Sequence, residues 1–443
     1  MIRYLFLLFA LVACAPTSPP AGMRTDFALP TAYTYVRNTP EFQTKDFIYD
    51  PYIRTVRFYP NLPVANARQL PPILRLGSPE RLVLDFDELG SEVRDYAAQI
   101  IHCNADWSVS GLFATEYLEV YNEFNFFDYA FSINTKIPYI HYRFELPKVL
   151  ASGNYILKVY REHDPEDLIL TRRFMVYDPR VTIAAQQAMV SGSLTADTYQ
   201  QIDLALNYQG LTLNYPTRQL TLHLRQNDRW DNAILSLPPT QVRDFKQEIE
   251  FRYFNLENAF LGGNEFRIFD MREINQIGLN VAGFESFPDK TTLRLTNDRP
   301  RNGWVYDRRF PDHNGRYFVQ TLRTADPDTE GDYAYVTFTL EMPPLPESTP
   351  LYLIGELSDW RPQEEFRMRY DPDKKCYTTQ ALLKQGFYDY AYAVLDPDTQ
   401  GFDTQPIEGS FRQTENVYDV LVYYRRLGGR ADELVGYWRS ADL

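Results

Sequence analysis

Residues 333 to 350 read YAYVTFTLEMPPLPESTP. The first eight, Tyr333 to Leu340, are aromatic and β-branched residues of the kind that fill pleated strands. The ten that follow, Glu341 to Pro350, carry four prolines. Proline has no N–H to give to a ladder, so no central strand continues through them. This stretch therefore predicts a β-module that ends near residue 341, a proline-rich linker over 342–350, and a further β-module over 351–443 that opens with LYLIGELSDW.

Upstream, strand patterns arrive in series. Leu82, Leu84 and Phe86 alternate with Val83, Asp85 and Asp87, and Tyr155 to Tyr160 follow the turn residues Ser152, Gly153 and Asn154. A second series follows Pro179. There Leu220, Leu222 and Leu224 alternate with Thr221, His223 and Arg225, and Ile249, Phe251 and Tyr253 with Glu248, Glu250 and Arg252. Period-2 alternation predicts sheets with one buried and one wet face, packed face to face. The chain thus reads as all-β, with three tandem β-sandwich (immunoglobulin-like) modules over 47–179, 180–341 and 351–443. Helical signals are few, with one short turn expected at Phe113 to Val120.

The first residues, MIRYLFLLFALVACAP, contain one arginine, a short apolar run and then Cys14. The run is too short to cross a bilayer and has the shape of a secretory leader over 1–13. Leu11-Val12-Ala13-Cys14 resembles a bacterial lipobox, which implies lipidation of Cys14 and a tether over 14–46. No acidic cluster of the surface-export kind follows Cys14, so the expected location is the periplasmic face of the outer membrane. The net charge of −14 argues against nucleic acid, which requires clustered Lys and Arg. Cys103 and Cys376 are far apart and read as two buried thiols rather than a disulfide framework.

Several patterns resemble chemistry. The segment IIHCNADW (Ile100 to Trp107) sets His102, Cys103 and Asp106 within five positions. None of the five histidines forms the helix-borne i, i+4 pair of zinc hydrolases, there is no Cys-x-x-Cys, and no nucleophile elbow or phosphate loop occurs. Three turns read Asp-Pro-Asp, at 326–328, 371–373 and 396–398. The first also has the early spacing of a calcium loop, but Thr337 stands where the bidentate carboxylate belongs. Type I turns account for all three. The IIHCNADW segment reads as the hydrogen-bonded end of a buried strand, with Trp107 on the corner. Neither a catalytic group, nor a metal, nor a cofactor is expected.

Ile100 to Pro147 and Ser152 to Asp164 together resemble the signature of the type IX secretion system plug proteins. The matching features are His102-Cys103, Asp106-Trp107, Ser132-x-Asn134-Thr135, Tyr139 with His141-Tyr142, and Ser152-Gly153-Asn154-Tyr155. GDYAYVTFTL (Gly331 to Leu340) and EGSFRQTENVYDVLVYYR (Glu408 to Arg425) continue the likeness. The resemblance implies a non-enzymatic protein, monomeric outside its complex, that closes the periplasmic mouth of the outer-membrane translocon barrel when no cargo crosses. It transfers no interface residues. A competing resemblance lies in the last module: LIGELSDWRP and KQGFYDYAYAV are similar to early-set immunoglobulin-like modules that bind glucans. That likeness implies sugar stacking on Tyr352, Trp360 or Tyr390.

Overall fold

In the strand Tyr333–Leu340, Ala334, Val336, Phe338 and Leu340 are all fully buried in one core while Tyr335, Thr337 and Thr339 are half-buried, so the alternation is real. The protein is described by a computed structural model over residues 41–440, apart from 65, 191–195, 309–310 and 400. The leader, Cys14 and most of the tether lie outside these residues. Among the described residues nearly all regular structure is β, and the expected helical turn is found at Ala114–Tyr117.

The three largest apolar cores among the described residues organise the strands. A six-stranded sheet, which includes Tyr96–Cys103, Gly153–Arg161 and Leu168–Tyr177, faces a four-stranded one built on Ile53–Pro60, Leu82–Leu89, Asp128–Phe131 and Tyr139–Glu145. Phe86, Ile100, Ile140, Tyr155 and Phe174 fill the space between them. A second core, around Leu204, Leu222, Ile249 and Val420, lies between a five-stranded and a three-stranded sheet. The third lies within a ten-stranded sheet whose members run from Arg267–Asp270 to Phe402–Asp403. That sheet curls so that Phe269 on one strand meets Phe338 on a distant one at 5.6 Å.

The sheets depart from the expected boundaries. Tyr333–Leu340 pairs along its whole length with Cys376–Lys384, so 341 and 351 do not divide two modules. The proline-rich segment is a strap on that same body: Met342 and Leu345 pack on its core, and the Leu345 N–H donates to the Tyr377 hydroxyl at 2.6 Å. A proline run outside the ladder breaks no ladder bond, which is why it reads as a linker and lies as a strap. The tandem order fails as well, because Leu220–Gln226 pairs with Tyr418–Tyr424, which pairs in turn with Glu433–Arg439. The last strands of the chain thus return to complete the middle body, and the third body is inserted between its halves.

The expected wet faces are also mostly dry. All eight residues of Leu82–Leu89 are buried, including Asp85, Asp87 and Glu88, and so are His223 and Arg225 on Leu220–Gln226. Glu88 is held inside its own body by Arg94 and Tyr142, whereas Asp87 and His223 are buried by a neighbouring body. The described residues accordingly cluster as one compact unit.

Candidate functional site

Buried polar groups must find partners, so the covered polar faces show where the bodies are joined. The first joint is the end of Tyr96–Cys103 and the corner after it, set against the C-terminal hairpin. His102 Nδ1 pairs with Ser110 Oγ at 2.9 Å, its Nε2 approaches the Ser152 carbonyl at 3.4 Å, and its ring stands edge-on to Tyr155. The Asn154 amide donates to the Asn104 carbonyl at 3.0 Å and accepts from the Tyr423 hydroxyl at 2.9 Å. The Ala105 N–H donates to Asp432 at 2.9 Å, and Arg425 bonds both Asp432 and the Asn104 side chain. His223 closes the joint from the other side. Its Nδ1 accepts from the Ser236 N–H at 2.8 Å, which leaves the Nε2 proton to donate to the Ala105 carbonyl at 3.2 Å. Trp107, at φ +67°, turns its ring into this seam, where Arg173 lies over it at 4.2 Å and Trp230 meets it edge-on.

Truncating Asn154 to Ala leaves the Tyr423 hydroxyl with only the Met175 sulfur at 3.8 Å and the Asn104 carbonyl with only the Trp107 N–H. The expected loss is about 1–3 kcal/mol, read as a lower melting temperature.

The second joint sets the four-stranded sheet against the third body. Asp87, completely buried, accepts from His141 Nδ1 at 2.7 Å, from the Tyr333 hydroxyl at 2.6 Å and from Lys384 Nζ at 2.6 Å. Lys384 also donates to the Asp328 carbonyl at 2.7 Å and sits 4.1 Å from the centre of the Tyr139 ring. The Tyr139 hydroxyl in turn donates to the Gly331 carbonyl at 2.8 Å. Beside this cluster, Arg57 bonds Asp328 at 2.7 Å and reaches Asp85 at 3.4 Å, and Arg68 grips Asp328 with two further bonds. Asp85, His141 and Asp328 converge as a cation site would. Here guanidinium groups supply the positive charge.

Burial alone would raise Asp87 and Asp328. For Asp87 the Lys384 ammonium and His141 outweigh it, and for Asp328 the Arg57 and Arg68 guanidiniums do, so both carboxyls are held below the usual carboxylate range. Folded values below the unfolded ones mean that this stabilisation is whole above about pH 4 and is lost as pH falls through the folded values. We expect melting temperature to drop as pH is lowered below about 4, and to drop less steeply in Arg57→Met, which has already lost its share of the linkage. Asp312 runs the other way. Burial pushes it up to about 7, with the neighbouring Glu265 carboxylate adding to the effect against the Asn314 amide. It therefore favours folding least above about pH 7, and Asp312→Asn should flatten the decline between about pH 4 and 7.

Residues 53–178 match the family model described as the type 9 secretion system plug protein first domain. The chain is also similar, at 32% identity and a TM-score of 0.84, to the crystal structure of a hypothetical protein from Parabacteroides merdae, over 90% of this chain and 100% of that one. The chain belongs to the type 9 secretion system plug family. No curated protein matches it. Membership ties it to the type IX secretion machinery, and the family is not one of enzymes.

The family signature is distributed over these joints. His102, Gly153 and Asn154 serve the first, with Trp107 in its seam, and His141 and Tyr139 serve the second. Asn134 lies at φ +56° in the turn whose Lys136 and Ile137 N–H groups donate to Asp332 of the third body at 2.9 and 3.2 Å. Cys103 is buried and free, its thiol pushed up to about 12 by burial, and Cys376 is also buried and free. Asp106 does not orient His102. It accepts from the Ser108 N–H and hydroxyl at 3.0 and 2.6 Å and so shapes the corner.

The aromatic residues that would bind sugar do not form a platform. Tyr352 and Tyr390 are buried, and the Tyr390 hydroxyl is bonded to Asp298 at 2.7 Å. Trp360 is half-buried, with Arg229 over its ring at 4.2 Å and Phe266 against its edge. The residues that sequence reasoning missed are the charged ones: Arg57, Asp87, Asp328 and Lys384. Asp85 and Asp87 between leucines give one weak signal, since two acids in a strand of that apolar character need partners if their face is covered.

Proposed function

We propose that the protein is a non-enzymatic plug that seats in the periplasmic mouth of the type IX translocon barrel and closes it when no cargo is crossing. The supporting observation is that several signature residues lie at joints between bodies, where Tyr139 and Asn154 bond directly across, His141 holds Asp87 beside Lys384, and Trp107 meets Trp230. Such joints make several small sandwiches behave as one stiff object. A pore wide enough for folded cargo leaks when idle, and a stiff object seals it better than a flexible chain. The seal must bury more than ~1,000 Å² to be stable and still yield to cargo, so its exchange depends on differential affinity. Lipidation at Cys14, on the periplasmic face of the outer membrane, would raise the effective concentration at the mouth and let moderate affinity suffice.

A tagged full-length chain purified from its native membrane in mild detergent should bring the large barrel with it. Recovery of other intact membrane complexes but no barrel would refute the proposal. Arg229 over one face of the Trp360 ring and Phe266 against its edge weigh against the glucan-binding alternative.

A further inference from the structure

The first sandwich is open along one side. Its four-stranded sheet ends in Asp128–Phe131, and the sheet facing it ends on that side in a strand of only two residues, Phe124–Asn125. By register, Tyr129 lies opposite Tyr142 and Phe131 opposite Ile140, and both of those partners are core residues. Tyr129 and Phe131 therefore project from the inner face of the sheet, yet among the described residues no strand stands across from them. Phe127, Tyr129, Phe131 and Ile133 recur at every second position and are 82%, 45%, 53% and 51% exposed.

The backbone is open in the same place. Ser132 donates to the Tyr139 carbonyl, so the even-numbered residues carry the pairing to Tyr139–Glu145, and Tyr129 and Phe131 turn their N–H and C=O groups outward. Ile133, the next outward residue, shows what such a group accepts, because its N–H donates to the Thr329 carbonyl of another segment. Proteins normally shield a strand edge with lysine, proline or a covering segment. Asp128-Tyr129-Ala130-Phe131 contains neither lysine nor proline.

We infer that this edge is where an extended segment of the translocon adds as a further strand and completes the sandwich. The inference rests on the plug reading above. An unpaired ladder edge calls for a backbone partner, and the alternate aromatic residues call for apolar side chains on alternate positions of the incoming strand. At 150–250 Å² per aromatic side chain, the exposed parts of these four residues offer roughly 400 Å². That is about half of what one partner contributes to a stable interface, and the added ladder and its surroundings supply the rest.

The test places a photo-crosslinking amino acid at Phe131 of the tagged full-length chain in its native cells, with Phe254, 86% exposed on the middle body, as the control position. We expect an adduct with the barrel from position 131 and none from 254. Tyr129→Pro removes one outward N–H together with one of the alternate aromatic rings and keeps the pairing to Tyr139–Glu145, so the chain should still fold. The adduct should nevertheless fall about tenfold, the change expected for ~1.4 kcal/mol of lost affinity. If the barrel co-purifies but position 131 gives no adduct with it, this surface is wrong and the plug reading stands. An adduct only with a second copy, or only with the chain's own N-terminal segment, also overturns the inference. If no barrel co-purifies, both fall.

Discussion

Replacing Lys384 by Met lowers the stability of the purified protein by about 3–5 kcal/mol, because it leaves the Asp87 carboxylate charged and buried without its cation. Lys384 and Asp87 are both fully buried, and no solvent can take over the lost interaction. Replacing both partners, Asp87→Leu with Lys384→Met, should recover part of the loss, since an apolar pair of similar volume is often no worse than a buried ion pair. Recovery stays incomplete because His141 loses its acceptor and the Tyr333 hydroxyl keeps only Thr55 Oγ1. Chemical denaturation followed by tryptophan fluorescence measures all three proteins. A Lys384→Met variant as stable as the parent would show that this joint carries no tension between burial and charge.

Gly153→Ala is the second large effect, expected to cost about 3 kcal/mol from overpacking together with the strain of a side chain at positive φ. A Cβ at this position would stand 2.4 Å from His102 Nε2 and 3.2 Å from the Asp432 carbonyl, at φ +152°. Gly90 supplies the control, with φ +133° and nothing within 4 Å of its would-be Cβ. Gly90→Ala thus pays for the backbone alone, and the difference between the two variants isolates the clash. Pairing Gly153→Ala with His102→Ala should narrow that difference. Equal melting temperatures for Gly153→Ala and Gly90→Ala would show that the corner is slack.

The strands were legible in the sequence because alternation is local: Leu82–Leu89, Leu220–Gln226 and Tyr333–Leu340 all stand where Leu, Val, Thr and Phe placed them. That His102 and Cys103 end a buried strand was legible for the same reason. The partners of each strand were not. Pairing of Leu220 with Tyr424 joins positions that no periodicity connects, so the inserted order of the bodies was read as a tandem one. The joints were hidden more deeply. Asp85, Asp87 and His223 alternate with apolar residues just as solvent-facing residues would, and only a neighbouring body turns that polar face into a buried network. The open edge at Tyr129 and Phe131 lay within the quoted signature, but FNFFDYAF does not say which of its aromatics lacks a facing strand.

Uptake of a bulky antibiotic tests the sealing role most directly, in four strains: parent, deletion of this gene, deletion of the translocon, and both deletions together. Sealing predicts faster uptake in the single deletion of this gene and parental uptake once the translocon is also removed. Uptake that stays high in the double deletion would contradict it, because the leak would then not run through the barrel.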